Sequence, residues 1–306
     1  MCFDPPKLRR FFFASANPAG HVVCDELWEW EMTDTMEWQG RVGQSWASEW
    51  RRTDRSFTDL TSELARRLAQ LDYTSVLDIG CGAGELSLIA AKTRPQAQVL
   101  GLDISPDLVT TARERGGEQS NLRFALGDAA QWCPDDGYAA DLLISRHGVM
   151  FFADPVAAFA NLRANSAPGA TLMFSCFRDL LDNPFFREIG RLLPRSDGPP
   201  PDPNAPGPFA FADQERVSGI LSEAGWRDLV FDRFDFRMLA GAGEDPIAEA
   251  MAYFARIGPA ARAMAEMEEA RRARVLASLA EFLPDHLQDG IVSLTASVWI
   301  VTGQNA

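Results

Sequence analysis

The residues best placed to do chemistry are Asp78, Gly80, Gly82 and Gly84 in the run Val76-Leu-Asp-Ile-Gly-Cys-Gly-Ala-Gly84. Asp103 joins them at the end of a second apolar run, Val99-Leu-Gly-Leu-Asp103. Glycines at alternate positions let backbone approach a ligand where a Cβ would collide, and they tolerate φ > 0. The helix-forming stretch Glu85 to Lys92 follows, and its first N–H groups are free to meet an electron-rich ligand. A carboxylate roughly twenty residues further on, at the end of the next strand, is where a ribose diol is held. The pattern is that of a nucleoside-binding half-domain. A glycine pattern alone also fits NAD and FAD. Here the spacing is Gly-x-Gly-x-Gly, not GxGxxG, with Asp78 two places ahead, and no pyrophosphate has to be cradled if the ligand carries none. The third strand ends in Leu126-Gly-Asp128-Ala129, with a carboxylate where an adenine amino group could be held.

These residues need an alternating sheet to bring them together. Strands are predicted at 75–79, 98–102, 122–126, 141–145 and 171–176, and helices at 84–93, 106–115 and 155–165. Pro106 after Ser105 is a good helix start, and Ala167-Pro-Gly169 a turn into the fifth strand. The fold class is α/β, a doubly wound sheet. Ahead of it, 33–71 has helical spacing of Trp38, Trp46, Trp50, Phe57, Leu60, Leu64 and Leu68. After Cys176 the regularity breaks. A proline-rich loop (197–208) reads equally as a lid or as plain surface. A helix at 213–224 and a strand at 229–238 follow, then a helical insertion (244–286) and a last strand at 291–301. An insertion there covers the ligand crevice, which lies at the carboxyl ends of the strands. Four segments result: 1–31 as a poorly ordered extension or a mis-called start, 32–72 as a helical cover, 73–178 as the cofactor-binding core, and 179–306 as the rest of the same domain.

A net charge of −14 argues against a nucleic-acid partner, because phosphate backbones are bound by clustered Lys and Arg. No apolar run approaches a membrane span. The five cysteines are scattered without a CxxC pair, which is neither a disulfide framework nor a zinc site and suits a reducing cytoplasm. Cys81, inside the glycine loop, is read as structural. No carboxylate or histidine set has metal-ligand spacing. The sequence leaves the oligomeric state open, with a homodimer among the alternatives.

The fourth strand and its loop read Asp141-Leu-Leu-Ile-Ser-Arg-His-Gly-Val-Met-Phe-Phe-Ala-Asp-Pro155. With this stretch added, the chain from about Trp38 to Arg178 resembles the class I S-adenosylmethionine-dependent methyltransferases. The likeness is to the small-molecule group that includes the ubiquinone/menaquinone-biosynthesis enzymes. The resemblance implies a Rossmann-like sheet of seven strands, order 3-2-1-4-5-7-6, with the last strand antiparallel. It implies that Asp78, Gly80, Cys81, Gly82 and Gly84 surround the methionine part of the cofactor. Asp103 holds the ribose, Ile104 packs on adenine, and Asp128 with Ala129 meets the adenine amino group. Ser145 and Arg146 line the side nearest the methyl group, and Trp38 and Trp46 close over the cofactor. At those two positions a plain helix core fits the spacing equally well.

Where the related motif has an aromatic, often Phe, this chain has His147. An imidazole with a pKa near 6.5 could take the acceptor's proton, or it could merely replace a packing ring. The expected reaction is methyl transfer from S-adenosylmethionine to a small, apolar or aromatic acceptor. Twenty Phe, eight Trp and Met251, Phe254, Met264 and Met267 in the insertion favour such an acceptor. The alternatives are a cofactor-binding protein with non-methylating chemistry, or a regulatory one without turnover.

Overall fold

A computed structural model describes residues 35–134, 137–194 and 202–306. The segment 1–31 and residues 197–201 of the proline-rich loop lie outside them. Four short helices come first: α1 (Thr35–Trp38), α2 (Arg41–Ser48), α3 (Trp50–Ser56) and α4 (Thr58–Leu68). The strand–helix alternation follows as β1 (Ser75–Ile79), α5 (Glu85–Thr93), β2 (Gln98–Asp103), α6 (Pro106–Gly116) and β3 (Leu122–Leu126). It continues with β4 (Ala140–Arg146), α7 (Pro155–Ala164), β5 (Ser166–Phe177), α8 (Pro184–Gly190), α9 (Gln214–Glu223) and β6 (Arg227–Ala242). Helices α10 (Pro246–Arg256), α11 (Gly258–Ala265) and α12 (Glu269–Phe282) precede a two-residue β7 (Leu287–Gln288) and the long β8 (Ile291–Gln304).

The strands form one sheet in the order β3-β2-β1-β4-β5-β8-β6, with β7 beside β8. The first five strands are parallel, and β8 runs antiparallel to both β5 and β6. With β7 set aside as an edge fragment, this is the expected order. The central strands are continuous apolar runs because helices cover both faces of a parallel sheet. Leu142, Leu143 and Ile144 of β4 and Leu172 and Phe174 of β5 are all fully buried. Trp226, also fully buried, donates its indole N–H to the Phe159 carbonyl at 3.1 Å, which satisfies the one polar atom of the largest core side chain.

Local chemistry sets the helix starts. Ser105 caps α6 by accepting from the Leu108 amide, and Asp154 caps α7 by accepting from Ala157, each followed by a proline at the first position. The 33–71 pattern is four helices, and the 244–283 pattern is three, broken by Ile257 in extended backbone before Gly258-Pro259. Helix α8 has no expected counterpart, since Asn183-Pro184 reads as loop; Asn183 makes no side-chain cap and instead donates its side-chain amide to the Arg178 and Asp179 carbonyls. The Ala167-Pro-Gly169 turn is absorbed into the start of β5, whose Gly169 amide donates to the Asn305 carbonyl at 2.7 Å.

Candidate active site

All the parallel strands present their carboxyl ends to one crevice, and a cavity of about 1300 Å³ lies there beneath α1–α3 and α10–α12. Its floor on one side is built from the ends of β1, β2 and β3. Asp78 is buried within β1 and accepts from the Ser87 hydroxyl at 2.5 Å. Burial is the main reason that its carboxyl is pushed up to about 7. The Ser87 hydrogen bond and the Arg146 charge oppose that rise, and the charge of Asp103 adds to it. Asp103 accepts from the Gly82 amide at 2.7 Å and the Ser105 amide at 2.9 Å, so it fixes the glycine loop to the end of β2. Burial also raises the Asp103 carboxyl, against those backbone hydrogen bonds. Asp128 accepts from the Ala130 amide at 2.9 Å and so organises the turn after β3. Each carboxylate keeps further lone pairs for a ligand.

The glycine loop follows from backbone geometry. Gly80, Gly82 and Gly84 all have positive φ. A Cβ on Gly80 would lie 2.8 Å from the Cα of Gly148, so the loops after β1 and β4 touch backbone to backbone. A Cβ on Gly82 meets no protein atom within 4 Å, and Gly82 is on the cavity wall. Gly84 is different. It starts α5 behind the wall, and a Cβ there would strike the Phe124 ring at 2.8 Å.

Most of the expected residues line this cavity: Asp78, Gly80, Cys81, Gly82, Asp103, Ile104, Asp128, Ala129, Arg146, His147, Trp38 and Trp46. Trp38 and Trp46 meet edge to face at 5.6 Å, and Trp38 also meets Phe151 at 5.0 Å, forming an aromatic roof. Two expectations need correction. Gly84 is a packing glycine rather than a wall residue. Ser145 is fully buried off the cavity, and its hydroxyl donates to the Ile79 carbonyl at 2.7 Å while accepting from the Gly148 amide at 3.1 Å. It ties the end of β1 to the loop after β4 and has no free group for a ligand. Burial and the neighbouring Asp103 and Asp78 push the Cys81 thiol upward, which suits the structural role read for it.

His147 does not have the surroundings of a prepared base. Its ring stacks on Phe177 at 4.2 Å and 8°, with Phe57 5.1 Å away. Both ring nitrogens are shielded from solvent and have no hydrogen-bond partner. Burial, with a smaller contribution from Arg146, holds the imidazole well below its usual pKa, so it stays neutral. Its φ of 68° is in the left-handed region, which histidine tolerates better than most residues.

Beyond His147 the wall changes character. Phe57, Phe177, Phe186, Met238 and Tyr253 come from α3–α4, β5, α8, β6 and α10. Phe177 meets Phe186 edge to face at 4.8 Å. Of the methionines and phenylalanine expected from the insertion, Met267 lines the cavity. Met251, Phe254 and Met264 pack into the core instead. From the proline-rich loop, Pro208 reaches the wall, and the Gly207 amide donates to the Met150 carbonyl at 3.1 Å. Sequence spacing gave no signal for Phe177, Phe186, Met238 and Tyr253 as neighbours, since they meet only when β5, β6 and α10 assemble. Gly148 did carry a signal, because a glycine directly after a strand-end loop marks close backbone approach. Among the described residues no group of His, Cys, Asp and Glu could hold a metal ion, and no helix is long and apolar enough to cross a membrane.

Residues 71–192 match the family described as "Methyltransferase domain". A trans-aconitate 2-methyltransferase of Streptomyces coelicolor is 34% identical over 121 residues, covering 39% of this chain and 39% of that protein. Another of that name, from Methylobacterium radiotolerans, is 32% identical over 174 residues, covering 55% of this chain and 60% of that protein. The match thus spans between about two fifths and three fifths of these relatives' length. A solved structure of Haemonchus contortus phosphoethanolamine N-methyltransferase 2, in complex with S-adenosyl-L-methionine, aligns over 89% of this chain and 60% of that one. Its TM-score is 0.52 at 16% identity, a likeness of fold. Sheet order, glycine loop and strand-end carboxylates agree with that match, so residues 71–192 carry a methyltransferase domain similar to those of small-molecule methyltransferases.

Proposed function

We propose that the protein transfers the methyl group of S-adenosylmethionine to a small organic acceptor with an apolar or aromatic body. The observation that carries this reading is the change of wall within one cavity. Buried carboxylates and bare glycine backbone lie over β1–β3, and aromatic side chains lie over β5 and β6.

The cofactor fits the first part on its chemistry. It carries a sulfonium, an ammonium and a ribose diol, which are cations and hydroxyl donors suited to buried carboxylates. In this reading Asp78, Gly80, Cys81 and Gly82 surround its methionine end. Asp103 takes the ribose, and Ile104, Asp128 and Ala129 take the adenine. Trp38 and Trp46 close the roof, and Arg146 stands at the boundary. The cofactor supplies a methyl group already activated for transfer. The protein's part is then to align the acceptor and keep water out.

The acceptor occupies the second part. Arg146 is the cation beside it, and its guanidinium is already taken by Glu85, by the Thr61 hydroxyl at 2.7 Å and by Asp54 at 3.6 Å. Arg146 is thus engaged and not free for an anionic acceptor such as the trans-aconitate in the relatives' names, and the other arginines lining the cavity, Arg41, Arg256, Arg262 and Arg271, come from the helical cover and the insertion. We place no proton transfer on His147 and treat it as a ring in the wall.

The test is incubation of the full chain with methyl-labelled S-adenosylmethionine and a panel of flat aromatic compounds beside trans-aconitate. Label is expected in an aromatic product. Methylation of trans-aconitate, with none of the aromatic panel, would contradict the acceptor assignment.

A further inference from the structure

One charged cluster touches the cavity from behind and is unused by the reading above. Helix α3 turns Trp50 and Asp54, one helical turn apart, toward the body of the domain. Arg115, in the last turn of α6, meets both. Its guanidinium carbon lies 3.8 Å from the Trp50 ring centroid, and Nη2 donates to Asp54 Oδ2 at 2.6 Å. On the other side Nη1 donates to the Ala83 carbonyl, inside the glycine loop, at 2.7 Å. Trp50, Asp54 and Ala83 all line the cavity, whereas Arg115 does not. The second oxygen of Asp54 lies 3.6 Å from Arg146 Nη2. Arg115 and Asp54 are each about 15% exposed, so the pair is shielded from much of the solvent.

We propose that Arg115 is a positioning residue that registers the helical cover on the glycine loop, and so shapes the methionine end of the cofactor pocket. This rests on the S-adenosylmethionine reading. The residue type suits the task. A planar guanidinium can donate along two directions in its plane while its face stacks on an indole, and an ammonium cannot do all three at once. With Arg115 replaced, Asp54 loses its shortest ion pair and is left with the longer contact to Arg146 and the like-charged Glu85 carboxylate beside it. The cover then loses its alignment over Ala83 while the sheet beneath is unaltered.

The experiment is calorimetric titration of the full chain with S-adenosylhomocysteine, paired with trypsin cleavage after Arg52 in the cover, a site all the variants keep, with and without that ligand. Arg115→Lys and Arg115→Met are compared with Arg51→Ala, which removes the other guanidinium on the Trp50 ring (4.3 Å) but no loop contact. Both Arg115 variants are expected to bind about tenfold more weakly, the loss of one charge-assisted contact. They are also expected to lose ligand-dependent protection of the cover. Arg51→Ala should keep both properties. A melting temperature of unliganded Arg115→Lys close to wild type separates positioning from general stability. Wild-type binding matched by Arg115→Lys, with protection intact, would overturn the inference alone. Wild-type protein that fails to bind S-adenosylhomocysteine would overturn the cofactor reading, and this inference with it.

Discussion

The two parts of the cavity are built in different ways. Over β1–β3 the wall comes from short, contiguous segments: a strand, its turn and the carboxylate that ends it. Asp103 reaches the Gly82 amide, and Cys81 donates its amide to the Leu102 carbonyl at 3.0 Å, so neighbouring strand ends stitch one another. Over β5 and β6 the wall comes from side chains of separate elements, as in the approach of Phe57 and Phe177, 120 residues apart, at 6.3 Å. The first part is specified by backbone and charge, and the second by packing. A pocket made by backbone tolerates few substitutions, and a pocket made by packed rings can be reshaped one side chain at a time.

The sharpest way to break that contrast is at Asp78. Its carboxyl titrates near 7 in the folded protein, above the ordinary 3.8. A raised carboxyl stabilises the fold only while protonated. Stability is therefore greatest below about pH 4, declines as pH rises to about 7, and is flat above. Asp78→Asn removes that cost and should stabilise the protein by about 2 kcal/mol at pH 8, a value discounted from the full shift. The gain should vanish by pH 4. The same change should weaken S-adenosylmethionine binding about a hundredfold at pH 8, because a buried carboxylate facing a cation is lost. Thermal melts at both pH values and titration with the cofactor check both signs.

Next in size is Phe177→Ala. Removing the ring that stacks on His147 should raise the acceptor KM about tenfold and leave S-adenosylhomocysteine affinity within about twofold, since the two parts share little wall. A matching loss of cofactor affinity would mean that the parts are not separable. The smallest effect is expected at His147. A phenyl ring keeps the stack without two unpartnered buried nitrogens. His147→Phe should thus leave stability within about 1 kcal/mol, the relief of the two nitrogens being offset by a phenylalanine in left-handed backbone, and keep turnover within about threefold. A hundredfold fall in turnover with cofactor affinity intact would instead make the imidazole a base.

The same contrast explains how much was legible in the sequence. Glycine spacing, Asp103 and Asp128 could be placed because each sits where a strand ends, and strand ends are read from local apolar runs. Strand order followed from resemblance and agrees with the observed β3-β2-β1-β4-β5-β8-β6. Ser145 was misplaced because strand-end position does not reveal which way a side chain turns, and its hydroxyl turns inward to Ile79. Gly84 was misplaced because its partner, Phe124, lies on another strand. The aromatic wall and the Arg115–Asp54 pair were invisible for the same reason: both depend on contacts between distant elements.

The central claim is that the carboxylate and glycine part of the cavity takes a sulfonium-bearing nucleoside. Calorimetric titration of the full chain with S-adenosylmethionine and, separately, with NAD tests it most directly. The account predicts saturable binding of S-adenosylmethionine in the micromolar range, abolished by Asp103→Ala, and no measurable heat with NAD. Binding of NAD, or S-adenosylmethionine binding that survives Asp103→Ala unchanged, would contradict it.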